Sequence, residues 1–324
     1  MKAICRIATA LSLLLAGGSA LAQTSYPEQP VRILVGFTPG TAPDVTARIL
    51  ADKFTEGWGK PVIVENITGA SGNIACDRVA KSPPDGYTLT MCGNGNLVMG
   101  PSLYEKLPFD PIKDFTPITQ IFVAANILVV HPGVPAKNVT ELVALARAEP
   151  QRLIYGHTGV GTSQHMAAEL FKYMAKVSIQ PIAYRGSTAV LPDLLAGRLS
   201  LSFSNVVNVL PLVREGKLRA FAVTSRKRSA AAPDIPTMDE LGYPGFEAVP
   251  WFGLLAPAGT PPMIVEKIHR EAVRVLALPD VHKRLEELGL DVIGSSPAEF
   301  AALIAKEIPE WGKVIKEAGI KASE

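Results

Sequence analysis

The chain has 324 residues, 48% hydrophobic and 19% charged, with 32 basic side chains against 30 acidic ones. So even a balance gives no whole-body attraction to nucleic acid or anionic lipid; a preference for charged partners has to come from a local site. Three cysteines and five histidines, without the spacings that metal ligation uses, argue against a disulfide scaffold or a metal cluster.

In chain order, Lys2 and Arg6 lead into an apolar run over residues 7–15, and Ala20-Leu21-Ala22 supplies a small-x-small cleavage pattern. Residues 1–22 therefore read as a signal peptide, with the mature chain beginning at Gln23 and exported to the periplasm. The run falls short of the ~20 residues a membrane span needs. Cys5 lies ahead of the run, which argues against a lipid anchor. Cleavage removes Lys2 and Arg6 and leaves 30 basic and 30 acidic residues. Roughly 300 mature residues exceed what one core serves, so two lobes are expected.

Residues 31–36 (VRILVG), an apolar run but for Arg32, read as a strand buried on both faces. Pro39 and Gly40 break it, and Asp44 is placed as the N-cap of the helix that follows. A second strand is predicted at 62–65, a helix opening at 69–73, a Pro-Pro-Asp-Gly turn at 83–86 and a third strand over 87–92. Strand–helix alternation of this kind predicts a parallel sheet covered by helices, an α/β fold. Further strands are read at 121–130, 153–155, 179–183, 199–203, 220–224 and 252–256. Helices are read at 139–148, after 163, at 188–196, at 263–277 and at 297–318. The two mature cysteines, Cys76 near a helix start and Cys92 at a strand end, either bridge in an oxidising compartment or stay separate buried thiols.

Three strands end in loops rich in Gly, Ser or Thr that run straight into helices. Such junctions aim unpaired N–H groups and positive helix ends at one crevice, a ready anion site outside the carboxyl ends of the strands.

The motifs resemble one family throughout the mature chain. They are Tyr26-Pro27, the 37–44 loop (F-T-P-G-T-A-P-D), Val64-Glu65-Asn66, Gly72-Asn73-Ile74 and the 84–89 segment P-D-G-Y-T-L. They continue with Pro101-Ser102-Leu103-Tyr104, Gly161-Thr162-Ser163, Tyr184-Arg185-Gly186-Ser187, the 216–220 segment G-K-L-R-A, the 251–257 segment W-F-G-L-L-A-P and Trp311-Gly312. In this order they resemble the Bug, or TctC-type, receptors of tripartite tricarboxylate transporters. The resemblance implies a two-lobed type II periplasmic binding protein with two hinge crossings. Residues 24–123 plus 251–324 would form one lobe and 124–250 the other. It also implies capture of a small carboxylate (a di- or tricarboxylate, or an aromatic acid) and delivery to membrane subunits. A sensory receptor for carboxylates is the alternative, and an unrecognised hydrolase or lyase a remote one.

Candidate ligand contacts are Phe37, Thr38, Gly40, Thr41, Ala42 and Asp44 on the first loop, with Asn94 after the third strand. Asn94 reads equally as a turn residue. The facing loop offers His157, Thr158, Gly161, Thr162 and Ser163, where His157 is read as either a ligand contact or a structural histidine. Arg185, Gly186 and Ser187 add the one cation, whose fork pairs carboxylates, although an exposed surface arginine is an equal reading. Ser204 and Asn205 end a strand beside them. No nucleophile–base pair or metal-ligand pattern stands out, so neither catalysis nor a cofactor is expected; nucleic acid is not an expected partner, and the receptor is read as a monomer.

Overall fold

The computed structural model describes residues 26–184, 187–229 and 231–321. The signal-peptide segment, Arg185 and Gly186 lie outside the described residues. Among the described residues eleven strands fall into two sheets. The first orders as β11-β4-β10-β3-β1-β2 and the second as β7-β6-β8-β5-β9.

In the first sheet β1 (Val31–Val35) pairs in parallel with β2 (Val62–Asn66) and β3 (Thr88–Gly93). β10 (Trp251–Pro257) inserts antiparallel between β3 and β4 (Phe115–Ala124), and β11 (Leu290–Val292) closes that edge. The apolar run of β1 has its expected cause. Val31, Ile33 and Val35 pack into one cluster with Leu50 and Phe54 of α1 (Ala42–Trp58), while Leu34 enters the cluster on the opposite face with Val79 and Cys92. Each such fully buried aliphatic side chain contributes roughly 1.5–3 kcal/mol.

The second sheet has parallel β6 (Ile154–His157), β7 (Gln180–Ala183) and β8 (Leu201–Asn205), with β5 (Asn126–Val130) antiparallel between β8 and β9 (Arg219–Val223). It too has a cluster on each face, built around Tyr155 and Phe203 on one side and Val190 and Val209 on the other. Helices α2 (Asn73–Ala80) and α3 (Gly100–Leu103) serve the first sheet; α4 (Val139–Ala148), α5 (Ser163–Ala175), α6 (Ser187–Leu195) and α7 (Val206–Arg214) serve the second. Helices α8 (Pro262–Leu276), α9 (Pro279–Glu287) and α10 (Pro297–Glu317) follow β10. The two-lobed α/β architecture is the expected one.

Several elements differ from expectation. The single strand read over 121–130 is two, β4 in one sheet and β5 in the other, with the chain crossing at Ala125. Both halves of the run are apolar but for Asn126, which stands at the break itself and is its one mark. The return crossing enters β10 at Trp251, where the Pro250 carbonyl accepts from Ala124 N at 2.8 Å. Helix α7 was not foreseen, because Pro211 sits inside it and an interior proline removes a backbone donor. The strand read at 199–203 is β8, Leu201–Asn205, starting and ending two residues later, with Ser204 and Asn205 at its end as expected.

Cys76 in α2 and Cys92 in β3 are disulfide-bonded, with 6.4 Å between their Cα atoms and both buried in one cluster.

Candidate functional site

The loop between β1 and α1 is held from beneath. Asp44 is not the N-cap: α1 already begins at Ala42, after Thr41, whose side chain makes no cap hydrogen bond. Buried Asp44 instead accepts from Gly40 N at 2.8 Å, from Arg48 Nε and Nη2, and from Asn66 Nδ2 at 2.7 Å. Burial alone would raise its carboxyl; the bonds from Arg48, Asn66 and Gly40 outweigh that and hold it below the usual carboxylate value. With both oxygens taken up by protein donors, Asp44 braces the loop. Gly40 needs to be glycine for its φ of +83°; an added Cβ would meet nothing within 4 Å. Thr38 and Gly40 are exposed, Thr41 and Ala42 half-buried. Thr41 Oγ1 donates to Thr38 O at 2.7 Å. Phe37 stands edge-on to Phe252, with ring centres 5.3 Å apart.

Asn94 is buried, and its Nδ2 donates to Val249 O at 2.8 Å. Its amide therefore ties the end of β3 to the returning crossing rather than reaching into the cleft. Asn96 is likewise committed, donating to Ser71 O and to Asn73 Oδ1. Of the two readings that the sequence leaves to Asn94, the structure favours neither an open turn nor a cleft donor: a π-helical turn over Gly95–Met99 follows directly.

The facing loop joins β6 to α5. Thr162 caps α5, its hydroxyl donating to Gly159 O at 2.7 Å and accepting weakly from His165 N. His157 and His165 stack beneath the loop with ring centres 4.4 Å apart. Their Nδ1 atoms accept from Gly159 N at 3.3 Å and Gly161 N at 3.4 Å, so both rings act as acceptors there. Burial lowers His157 and drives His165 down to about 3. At 3% exposed, His157 supports the loop and presents no surface to the cleft. Below it Tyr155 Oη and Lys172 Nζ donate to Glu169 at 2.5 and 2.6 Å.

Thr158 and Ser163 turn their hydroxyls toward Gln164 Oε1, at 3.0 and 3.5 Å. Thr158 and Gln164 border a narrow pocket lined also by Val190, Leu191, Ser202, Phe203, Ser204, Asn205 and Asn208. Every lining side chain is uncharged, and the pocket lies at the first turns of α5, α6 and α7, where helical N–H groups lack intrahelical partners. Ser204 donates to Ser202, which donates to Gly156 O. Ser187 opens α6.

Sequence reasoning missed Gln164, Asn208 and Asn126. Asn126 is fully buried at the first crossing. Its Nδ2 donates to Ser163 Oγ at 3.3 Å, while its Oδ1 has no hydrogen-bond partner among the described residues. The signal for it was legible: one polar residue within an apolar run of ten is more informative than the apolar residues around it. Ser163 bonds to Gln164 and Asn126, and His165 to Gly161 N; no hydrogen bond joins Ser163 to His165 as a nucleophile to its base. Among the described residues no cluster of His, Cys, Asp and Glu is arranged to hold a metal ion.

Comparison with known proteins adds the following. The profile of the tripartite tricarboxylate transporter family receptor matches residues 46–320. Protein BugT of Bordetella pertussis is 35% identical over 92% of this chain and 91% of its own length. A Rhodopseudomonas palustris protein solved with adipate is 37% identical, with a TM-score of 0.84 over 91% of this chain and 99% of that one. MatC of the same organism, solved with bound malate, is 32% identical, with a TM-score of 0.82 over 90% of this chain and 100% of that one.

Proposed function

The chain belongs to the tripartite tricarboxylate transporter receptor family, and from that premise we propose that it is a periplasmic receptor. It captures a small carboxylate between its lobes and delivers it to the membrane subunits of a tripartite transporter. Residues 1–22 direct export and are removed. Residues 24–123 with 251–324 act as one lobe and 124–250 as the other, in a monomer that neither transforms its ligand nor needs a cofactor.

The observation that carries this reading is the pair of strand-to-helix loops, 37–42 and 157–163, each braced by buried side chains of its own lobe, Asp44 under the first and His157 and His165 under the second. Thr38 and Ala42 face the guest from one side, on a loop whose shape Gly40 and Thr41 fix; Thr158, Ser163, Ser204 and Asn205 do so from the other, where Gly161 and Thr162 fix the loop. Arg185, with Gly186 and Ser187, supplies the cation for a second carboxylate. A neutral, hydroxyl-rich pocket without a competing acid suits an organic anion, whose charge is met by orphan N–H groups and helix ends. Binding of adipate and malate by two relatives of the same fold supports a dicarboxylate as the first ligand to try.

Thermal denaturation of the mature protein against a panel of di-, tri- and aromatic carboxylates tests this. A true ligand at a hundred times its Kd adds ~2.7 kcal/mol and raises the midpoint by about 4 °C. A panel that leaves the midpoint unmoved, or a ligand that is chemically consumed, would overturn the reading.

A further inference from the structure

The turn at 70–72 carries a backbone cost and reaches the other lobe. Ala70 and Ser71 have φ of 45° and 54°, in the left-handed region that glycine enters freely and other residues at a cost. Ser71 Oγ donates across the gap to Val160 O, 3.1 Å away in the β6–α5 loop. Beside it the two loops touch backbone to backbone. A Cβ on Gly95 would lie 2.7 Å from Gly161 O, and one on Gly159 3.2 Å from Ser71 Oγ. A Cβ on Gly161 would meet Leu103 Cδ1 at 2.8 Å. Next to this seam, Met99 and Leu103 of the first lobe share an apolar cluster with Met166 of the second.

We infer that Ser71 is a latch: its hydrogen bond to Val160, on a seam of glycines that lets the loops meet, holds the lobes closed independently of ligand. The inference rests on the proposed receptor reading, for which it supplies a closing device. A serine gains nothing in conformation at this φ, and its hydroxyl makes one cross-lobe bond. Because that bond is made within the protein, the ligand need not supply the whole free energy of closure. A closed state populated beforehand strengthens apparent affinity by the fraction it occupies. Dissociation then has to break the Ser71–Val160 bond as well as the contacts to the ligand.

Three variants of the full mature chain test this: Ser71→Gly, Ser71→Ala and Gly95→Ala. The first two remove the hydroxyl; glycine also relieves the positive φ, while alanine keeps it. Gly95→Ala leaves the hydroxyl and drives a methyl wedge into the seam. The measurements are the ligand-free radius of gyration by small-angle scattering, the dissociation rate of adipate and the thermal midpoint. Losing one neutral hydrogen bond shifts the closed-to-open ratio about fivefold. All three variants should therefore have a larger radius of gyration than wild type, and both Ser71 variants should release adipate about fivefold faster. Ser71→Gly should melt at or above the wild-type midpoint, which a merely structural serine would not do. Wild-type scattering and release in Ser71→Gly overturn the latch. So does weaker adipate binding at an unchanged radius, which would make Ser71 a ligand contact, and so does a lowered Ser71→Gly midpoint. If wild type binds neither adipate nor any other acid, the receptor reading fails, while the ligand-free scattering still decides the latch.

Discussion

Glu307 of α10 accepts a hydrogen bond from the Trp251 indole at 2.9 Å, beside the second crossing. Burial pushes its carboxyl up to about 7, against that hydrogen bond, with Glu247 and Glu310 adding repulsion. The folded chain thus holds this proton at pH values where an unfolded carboxyl, near ~4.3, has lost it. The stability this contributes is complete below the unfolded value and is lost as pH rises through about 7. For a half-buried group the loss is on the order of 1–2 kcal/mol. Glu307→Gln should flatten the fall of the thermal midpoint between pH 4.5 and 7.5; an unchanged profile would show that the proton is not held there. Residue-level expectations fared unevenly, for a physical reason. Asp44 looked like a cap because Asp favours that position, yet Pro43, just ahead of it, is a residue of first helical turns and marked a helix already begun. The hydroxyls of the facing loop were readable from composition, but Gln164 and Asn208 were not, since nothing in a local pattern says which polar residue of a helix start will border a pocket.

At the scale of elements, the disulfide joins α2 to β3 over a separation of 16 residues. Chain entropy for a loop of that length predicts about 3 kcal/mol of stabilisation. The double variant Cys76→Ala with Cys92→Ala should lose about that much in urea denaturation, allowing for the alanines' smaller volume; a loss under ~1 kcal/mol would mean that the bridge constrains little in the unfolded chain. Sequence pattern located β1, β2, β3 and α1 well, because continuous apolar runs between turn residues have one common outcome, a buried parallel strand. It failed where that rule is silent. The β4–β5 crossing lies inside a run buried on both sides, and α7 carries a proline that its neighbours tolerate. The three-residue strand β11 is too short to show any period.

Across the whole molecule, α10 packs against the cores of both sheets. Phe300 and Ile304 lie in the first sheet's cluster, while Trp311 and Val314 pack against the second sheet's, and Glu317 accepts from the Tyr173 hydroxyl at 2.6 Å. Trp311→Ala should lower the thermal midpoint, at a cost of roughly 1–3 kcal/mol for a partly buried aromatic. It should also enlarge the ligand-free radius of gyration; a lower midpoint without expansion would confine α10's packing role to one lobe. The placement of α10 has a mechanical consequence. A body joined only by two neighbouring chain passages could swing widely, but here a rod is fastened near both ends. Any parting of the halves would have to bow that rod at Pro309, where one rung of its backbone ladder is absent, or peel its last turns away. Either way the excursion is short and sprung, and the rod tends to return the halves to where they began.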